Sequence, residues 1–418
     1  MRRHLATLAV TTAIGVLLSG CSTKGDDTVT ARTDTLGVKT DYGVTDSQVT
    51  LGIMTDQTTA FKNQGLATTH GNQMWADDVN ASGGICGRKI KFDIKDHGYA
   101  ADKAVALYSE LQPKVLGIIQ LFGTPPLAAL KSQLVADKML TVPSSLASSS
   151  LDAPEVLMVG ATYDIEMLNG LAYLREHSLI ADGDKIGHIY IDSEYGKNAL
   201  LGSTAYTFAH NQQLVAVPVS GSDTDMTAAV TQLKSQGITA IMITLTPPAM
   251  ASVMTQSQAQ GLDVPVVGNT PTWDTALLQT PAADALGNYY RVTSQAPFGY
   301  HKSDKAKSVA AAYKKTYSET PLDTVNYGYA SAMAFGEVLK QACADKDLTR
   351  QGLLDAAQKV TVDTDGLSGK LDYSVAGAPA TREVYIENAD PNAEGGLKVV
   401  NPLFAWSEAK SYKAPYQK

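Results

Sequence analysis

Residues 49–54 read VTLGIM, residues 83–84 read GG and residues 90–94 read IKFDI. The first is a short apolar run of the kind that forms a strand buried on both faces. Between it and the glycines, Ala67, Gly71, Trp75 and Val79 recur at the spacing of one helix face. The glycines end that helix, since glycine takes positive φ at no steric cost. Ile90, Phe92 and Ile94 then alternate, which is the period of a strand. Strand, helix and strand in this order build a βαβ unit, and with it a parallel sheet.

The rhythm continues outward from that unit. Helical patterns at 101–112, 126–137 and 164–177 lead into apolar runs at 115–119, 140–142 and 186–191. Helical patterns at 197–211, 225–236 and 249–260 lead into runs at 214–219, 240–245 and 264–267. So many strands exceed one comfortable sheet, and two α/β domains of mainly parallel strands are expected. Beyond residue 300 the pattern turns helical at 305–318 and 325–343. It closes in short strands near 367–373, 382–387 and 403–406. No solenoid repeat is present.

The chain has 418 residues and a formal net charge of −8. An acidic body of this kind argues against nucleic acid as a partner. Arg2 and Arg3 precede an uncharged, mostly apolar run from Leu5 to Leu18. That run is too short to span a bilayer, which takes roughly 20 residues, and fits a secretory signal instead. Leu17-Leu18-Ser19-Gly20-Cys21 resembles the bacterial lipobox, which implies cleavage after residue 20 and lipid on the Cys21 sulfur. Residues 21–47, rich in Thr, Asp, Gly, Ser and Lys, are expected to form a flexible tether. Two cysteines remain, Cys86 and Cys343. In an oxidising compartment they form either a disulfide or two buried thiols. Neither a metal site nor a cofactor is expected.

The chain lacks a G-x-S-x-G elbow, a P-loop, H-E-x-x-H and C-x-x-C. Its histidines are scattered, and Asp77-Asp78 fits a solvated helix face. What recurs instead is small, polar sequence where strands end: Phe122-Gly123-Thr124, Ser144 to Ser150, Thr244 to Pro248, and Gly268 to Trp273. Such segments often serve only as caps and turns. In parallel sheets, however, ligands bind beyond the carboxyl ends of strands, and the helix N-termini that follow favour anionic groups.

Several stretches, in this order, resemble the extracytoplasmic solute-binding proteins of ABC transporters, and among them the branched-chain amino acid (leucine/isoleucine/valine) binding family. They are VTLGIMTDQT, ADDVNASGGICGRKIKFDIKDHGYAADKAV, IYIDSEYGKNAL, GSDTDMTAAVTQLKSQGITAIMI and VNYGYASAMAF. The resemblance covers about residues 46–410. It implies the type I periplasmic-binding-protein clamshell: two lobes, each a mainly parallel sheet with helices on both faces, joined by three crossovers and closing over a ligand. Crossovers near residues 160, 294 and 367 would give one lobe of 48–160 plus 295–367 and another of 161–294 plus 368–418.

Carried over residue by residue, the resemblance puts the ligand carboxylate at Gly123 and Thr124, with a second contact at Ala147 and Ser148. Gln64 stands where the family has an aromatic residue. Tyr195 matches the Tyr of its E-Y-G motif, Thr246 falls on an aromatic wall position, and Tyr327 lies close to a late aromatic contact that falls near Thr324. Thr270 stands where the family has an acid that pairs with the ligand's ammonium. Either Asp56 or Asp274 supplies that charge, or the solute is neutral or carries only a carboxylate. The expected function is that of a monomeric, lipid-anchored receptor at the outer face of the membrane, without enzymatic activity. It would capture a small polar solute and deliver it to an ABC transporter permease. A sensor of the same fold, a surface hydrolase and a structural adhesin are the alternatives.

Overall fold

The computed structural model describes residues 31–415 and 417. The signal segment 1–20, the lipidation site Cys21 and the start of the tether lie outside the described residues.

Two large sheets account for the alternation read above. In the first, the spatial order is Lys89–Asp96, Gln48–Thr55, Ile118–Leu121 and Thr141–Pro143, all parallel. The strand that comes first in sequence lies inside, so the chain winds outward in both directions from it. Helices therefore cover both faces, and a crevice opens at the strand carboxyl ends where the winding reverses. Leu51, Ile53 and all of Ile118–Leu121 are buried, which is why these strands read as continuous apolar runs.

The second sheet has seven strands. Gln213–Val219, Lys185–Ile191, Ala240–Thr244, Val266–Asn269 and Tyr290–Ser294 are parallel, and Val384–Ala389 and Leu397–Phe404 complete it antiparallel at the far edge. The chain leaves the first sheet after Thr141–Pro143 and builds the second as far as Ser294. It then returns to the first with three helices, Asp304–Thr316, Thr324–Ala344 and Arg350–Ala357, and rejoins the second at Val384. Where two of these passages run side by side, the Ala296 N–H donates to the Leu367 carbonyl at 2.9 Å.

The helix Lys62–Ala81 packs along Thr324–Ala344 at glycines. A Cβ on Gly328 would stand 2.0 Å from the Thr68 carbonyl oxygen, and one on Gly71 would stand 2.2 Å from that of Val325. Thr68, Gly71 and Trp75 therefore lie on the seam of this pair, so two members of the four-residue period read from the sequence, Gly71 and Trp75, face the partner helix. Cys86, just beyond the first helix, and Cys343, in the last turn of its partner, are joined by a disulfide with Cα atoms 6.2 Å apart.

The structure corrects the sequence reading of the tether and of several strands. Residues 31–47 are not a free tether: Arg32–Thr33 pairs with Lys39–Thr40, which pairs in turn with Asp347–Leu348. A buried ion pair between Asp34 and Arg88 pins the segment to the first lobe. Hydrophobic period cannot reveal such an attachment, because it rests on backbone pairing and charge. The strands at 118–121, 266–269 and 397–404 are offset from the expected runs, and Tyr290–Ser294 is a strand that the alternation did not show.

Candidate ligand-binding site

A narrow cavity of about 50 Å³ lies between the two sheets. All four strands of the first sheet deliver residues to it from their carboxyl ends. Phe61 and Gln64 follow Gln48–Thr55, Tyr99 follows Lys89–Asp96, Phe122 to Thr124 follow Ile118–Leu121, and Ser144 and Leu146 follow Thr141–Pro143. The second sheet contributes in the same way: Tyr195 after Lys185–Ile191, Thr270 and Pro271 after Val266–Asn269, and Gln295 after Tyr290–Ser294. Thr68, Tyr163, Thr324 and Tyr327 project from helices.

Aromatic rings make up much of the wall. Phe61 packs on Tyr99 with centroids 4.8 Å apart and on Phe122 at 6.4 Å, while Tyr163 meets Tyr195 edge-on at 4.9 Å. The tyrosine hydroxyls are anchored in the protein. Tyr195 donates to Asn269 Oδ1 at 2.7 Å and Tyr327 to the Pro143 carbonyl at 2.7 Å. Burial raises the pKa of Tyr99, Tyr163, Tyr195 and Tyr327, so each presents a neutral ring. Behind Tyr195, Asn269 donates to Glu166 Oε2 at 3.1 Å, and burial pushes that carboxyl well above the usual range.

Gly123 has φ 96°, and a Cβ there would stand 2.6 Å from the Tyr99 ring, so the turn needs glycine. The helix Thr124–Ala136 starts at this turn, with Pro125 and Pro126 in its first turn. Proline has no N–H, so this helix end offers an anion fewer donors than an ordinary N-terminus. The Thr124 hydroxyl lies 2.8 Å from that of Ser145.

Gln64, Gly123, Thr124, Tyr195, Thr270 and Tyr327 thus line one cavity. Ala147, Ser148 and Thr246 do not. Ser148 is buried against the other lobe, donating to Asp164 Oδ2 at 2.7 Å and accepting from Asn198 at 2.6 Å, so it serves contact between the lobes. Its neighbour Ala147 is likewise buried, and Leu146 takes the place at the cavity. Thr246 precedes the helix Pro247–Gln260, and its carbonyl is spent on the Met250 N–H at 2.9 Å. Sequence reasoning missed Phe61, Thr68, Tyr99, Leu146, Tyr163 and Gln295. An aromatic residue just past a strand end was the available signal for Phe61 and Tyr99. Gln295 had none, because its strand was not recognised.

Among the described residues, no Asp, Glu, His, Lys or Arg lines the cavity. Both acids considered as substitutes for the one missing at Thr270 are engaged elsewhere. Asp56 accepts the N–H groups of Thr58, Thr59 and Phe61 at 3.0, 2.9 and 3.2 Å. Asp274 accepts from the Ala276 N–H at 2.9 Å and from Asn63 across the lobes at 2.8 Å.

The family model described as "Periplasmic binding protein" matches residues 48–395. A fatty acid ABC transporter substrate-binding protein from Thermomonospora curvata is 36% identical, covers 92% of this chain and 100% of its own, and superposes with a TM-score of 0.88. A branched-chain amino acid ABC transporter structure from Thermus thermophilus with bound valine is 16% identical over 88% of this chain and 99% of its own, with a TM-score of 0.76. A solute-binding protein from Rhodopseudomonas palustris BisB5, in complex with 3,4-dihydroxybenzoic acid, is 20% identical over 88% and 99%, with a TM-score of 0.71. The resemblance to branched-chain amino acid binders therefore holds at the level of fold. No curated protein matches the chain significantly. The matched span, the 36% relative and the strand-end cavity together place this chain in the periplasmic binding protein family, with the α/β clamshell fold of ABC transporter solute receptors.

Proposed function

We propose that this protein is the solute receptor of an ABC transporter, held at the outer face of the membrane by lipid on Cys21. It takes up a small, largely apolar solute without an ammonium group, a monocarboxylic acid foremost. The lobes close over the solute, and the closed form is what the permease reads. The observation that carries this proposal is the cavity wall of aromatic rings and uncharged polar groups, in which, among the described residues, no acid faces the solute. A buried ammonium without its carboxylate would be costly, whereas aromatic and aliphatic bodies gain from burial against such a wall. A lone carboxylate has the Gly123-Thr124 turn and the Ser144 hydroxyl to meet it. The 36% relative is described as a fatty acid binder, which is in keeping with such a solute.

Melting curves of the purified protein with leucine, valine, benzoate and octanoate test the proposal. A ligand at a hundredfold excess over Kd stabilises by about 2.7 kcal/mol, enough to move a melting curve. The expected result is a shift with the acids and none with the amino acids. A shift with leucine or valine alone would refute the assignment of solute class.

A further inference from the structure

The polar groups around Thr270 have a fixed hydrogen-bond direction, and it points away from the solute. Asp323 lies behind the cavity, buried at the start of the helix Thr324–Ala344. Its Oδ2 accepts from the Ser294 hydroxyl at 2.7 Å and from the Gln295 Nε2 at 2.9 Å. An ionised carboxylate only accepts. Ser294 therefore spends its proton on Asp323 and accepts the Thr270 hydroxyl proton at 2.9 Å. Gln295, with its nitrogen committed to Asp323, turns its Oε1 toward Thr270 at 3.3 Å. The cavity is left facing lone pairs on Thr270 Oγ1 and Gln295 Oε1.

Gln64 adds an independent acceptor. Its Nε2 donates across the lobes to the Trp273 carbonyl at 3.0 Å, which fixes the amide. Its Oε1 is buried and, among the described residues, has no hydrogen-bond partner. Trp273 closes the turn that Thr270 opens, so all three acceptors gather around one turn. A buried acceptor left without a donor is costly, and a donor on the solute removes that cost.

We infer that the solute presents an uncharged hydrogen-bond donor, a hydroxyl or an amide N–H, to Gln64, Thr270 and Gln295, and that Asp323 is the positioning residue that keeps this wall accepting. The inference rests on the proposed reading of the cavity as a solute cleft. An ammonium fits this wall less well, because the carboxylate stands behind Ser294 and Gln295 and cannot touch it.

Calorimetric titration with matched acids tests the assignment: benzoate against its para-hydroxyl and para-carbamoyl derivatives, and octanoate against its terminal-hydroxyl counterpart. The donor-bearing member of a pair should bind at least tenfold tighter. Thr270→Val and Asp323→Asn should reduce that preference severalfold, and Thr270→Ser should keep it. If the hydroxyl pairs show no preference and the carbamoyl pair does, the donor is an amide N–H. Equal affinity within every pair overturns the donor assignment and leaves the monocarboxylate reading standing. A preference that survives in Thr270→Val overturns the role of Thr270. If none of these acids binds, both the solute class and the donor assignment fail.

Discussion

Asp323 sits one hydrogen bond behind the cavity wall, and its ionisation bears on the whole fold. Burial pushes its carboxyl from 3.8 up to about 6, against the opposing pull of the Ser294 hydroxyl. Between those values the native chain holds a proton that the unfolded chain has released. Its contribution to stability is therefore complete below pH 3.8 and is lost as pH rises through about 6. The shift corresponds to about 3 kcal/mol. Asp323→Asn carries no such titration. Its melting temperature should rise relative to the wild type as pH goes from 4 to 7, and a constant offset would show that Asp323 titrates alike in both states. Burial raises Glu166 and Glu387 in the same direction, so the variant should retain part of the slope. At this scale the sequence was legible where a strand end or an obligatory glycine fixes the backbone, as at Tyr195, Gly123 and Thr270. It was not legible where neighbouring residues point apart. Leu146 faces the cavity while Ala147 and Ser148 beside it are buried elsewhere, and no pattern in the sequence separates the three.

Among the elements, the βαβ rhythm was readable because strands covered on both faces must be apolar throughout. Tyr290–Ser294 escaped notice because Arg291, Thr293 and Ser294 interrupt any apolar run, and the site residue Gln295 went with it. The close approach of Lys62–Ala81 to Thr324–Ala344 was visible only as glycines at helical positions, and glycine inside a helix otherwise lowers its stability. A Cβ at position 328 would stand 2.0 Å from the Thr68 carbonyl oxygen, which explains why glycine is there. Gly328→Ala should destabilise the protein by about 1–3 kcal/mol in denaturant unfolding, the usual cost of overpacking. It should also weaken solute binding, because Thr68, Thr324 and Tyr327 on these two helices line the cavity. Unchanged stability would mean that the helices have room to part.

In the whole molecule, the lobes touch on more than one side of the cavity. Asn63 donates to Asp274 at 2.8 Å and Gln64 to the Trp273 carbonyl at 3.0 Å, each across the cleft, and the Thr275 hydroxyl lies 3.1 Å from both the Pro321 carbonyl across it and the Gly395 carbonyl on its own side. Bonds of this kind form only when the lobes meet. They therefore weight the closed state against the open one, and the solute supplies the remainder by bridging both walls. Asn63 does not line the cavity, so replacing it separates closure from solute contact. Asn63→Ala removes one exposed hydrogen bond, worth about 0.5–1.5 kcal/mol net. In stopped-flow measurements the dissociation rate should rise about two- to tenfold, since changes of this kind fall mainly on release. Association and melting temperature without solute should stay close to wild type. A dissociation rate that does not move would show that this bond does not hold the lobes together. Closure would then rest on the buried contacts, Gln64 with Trp273 and Ser148 with Asn198.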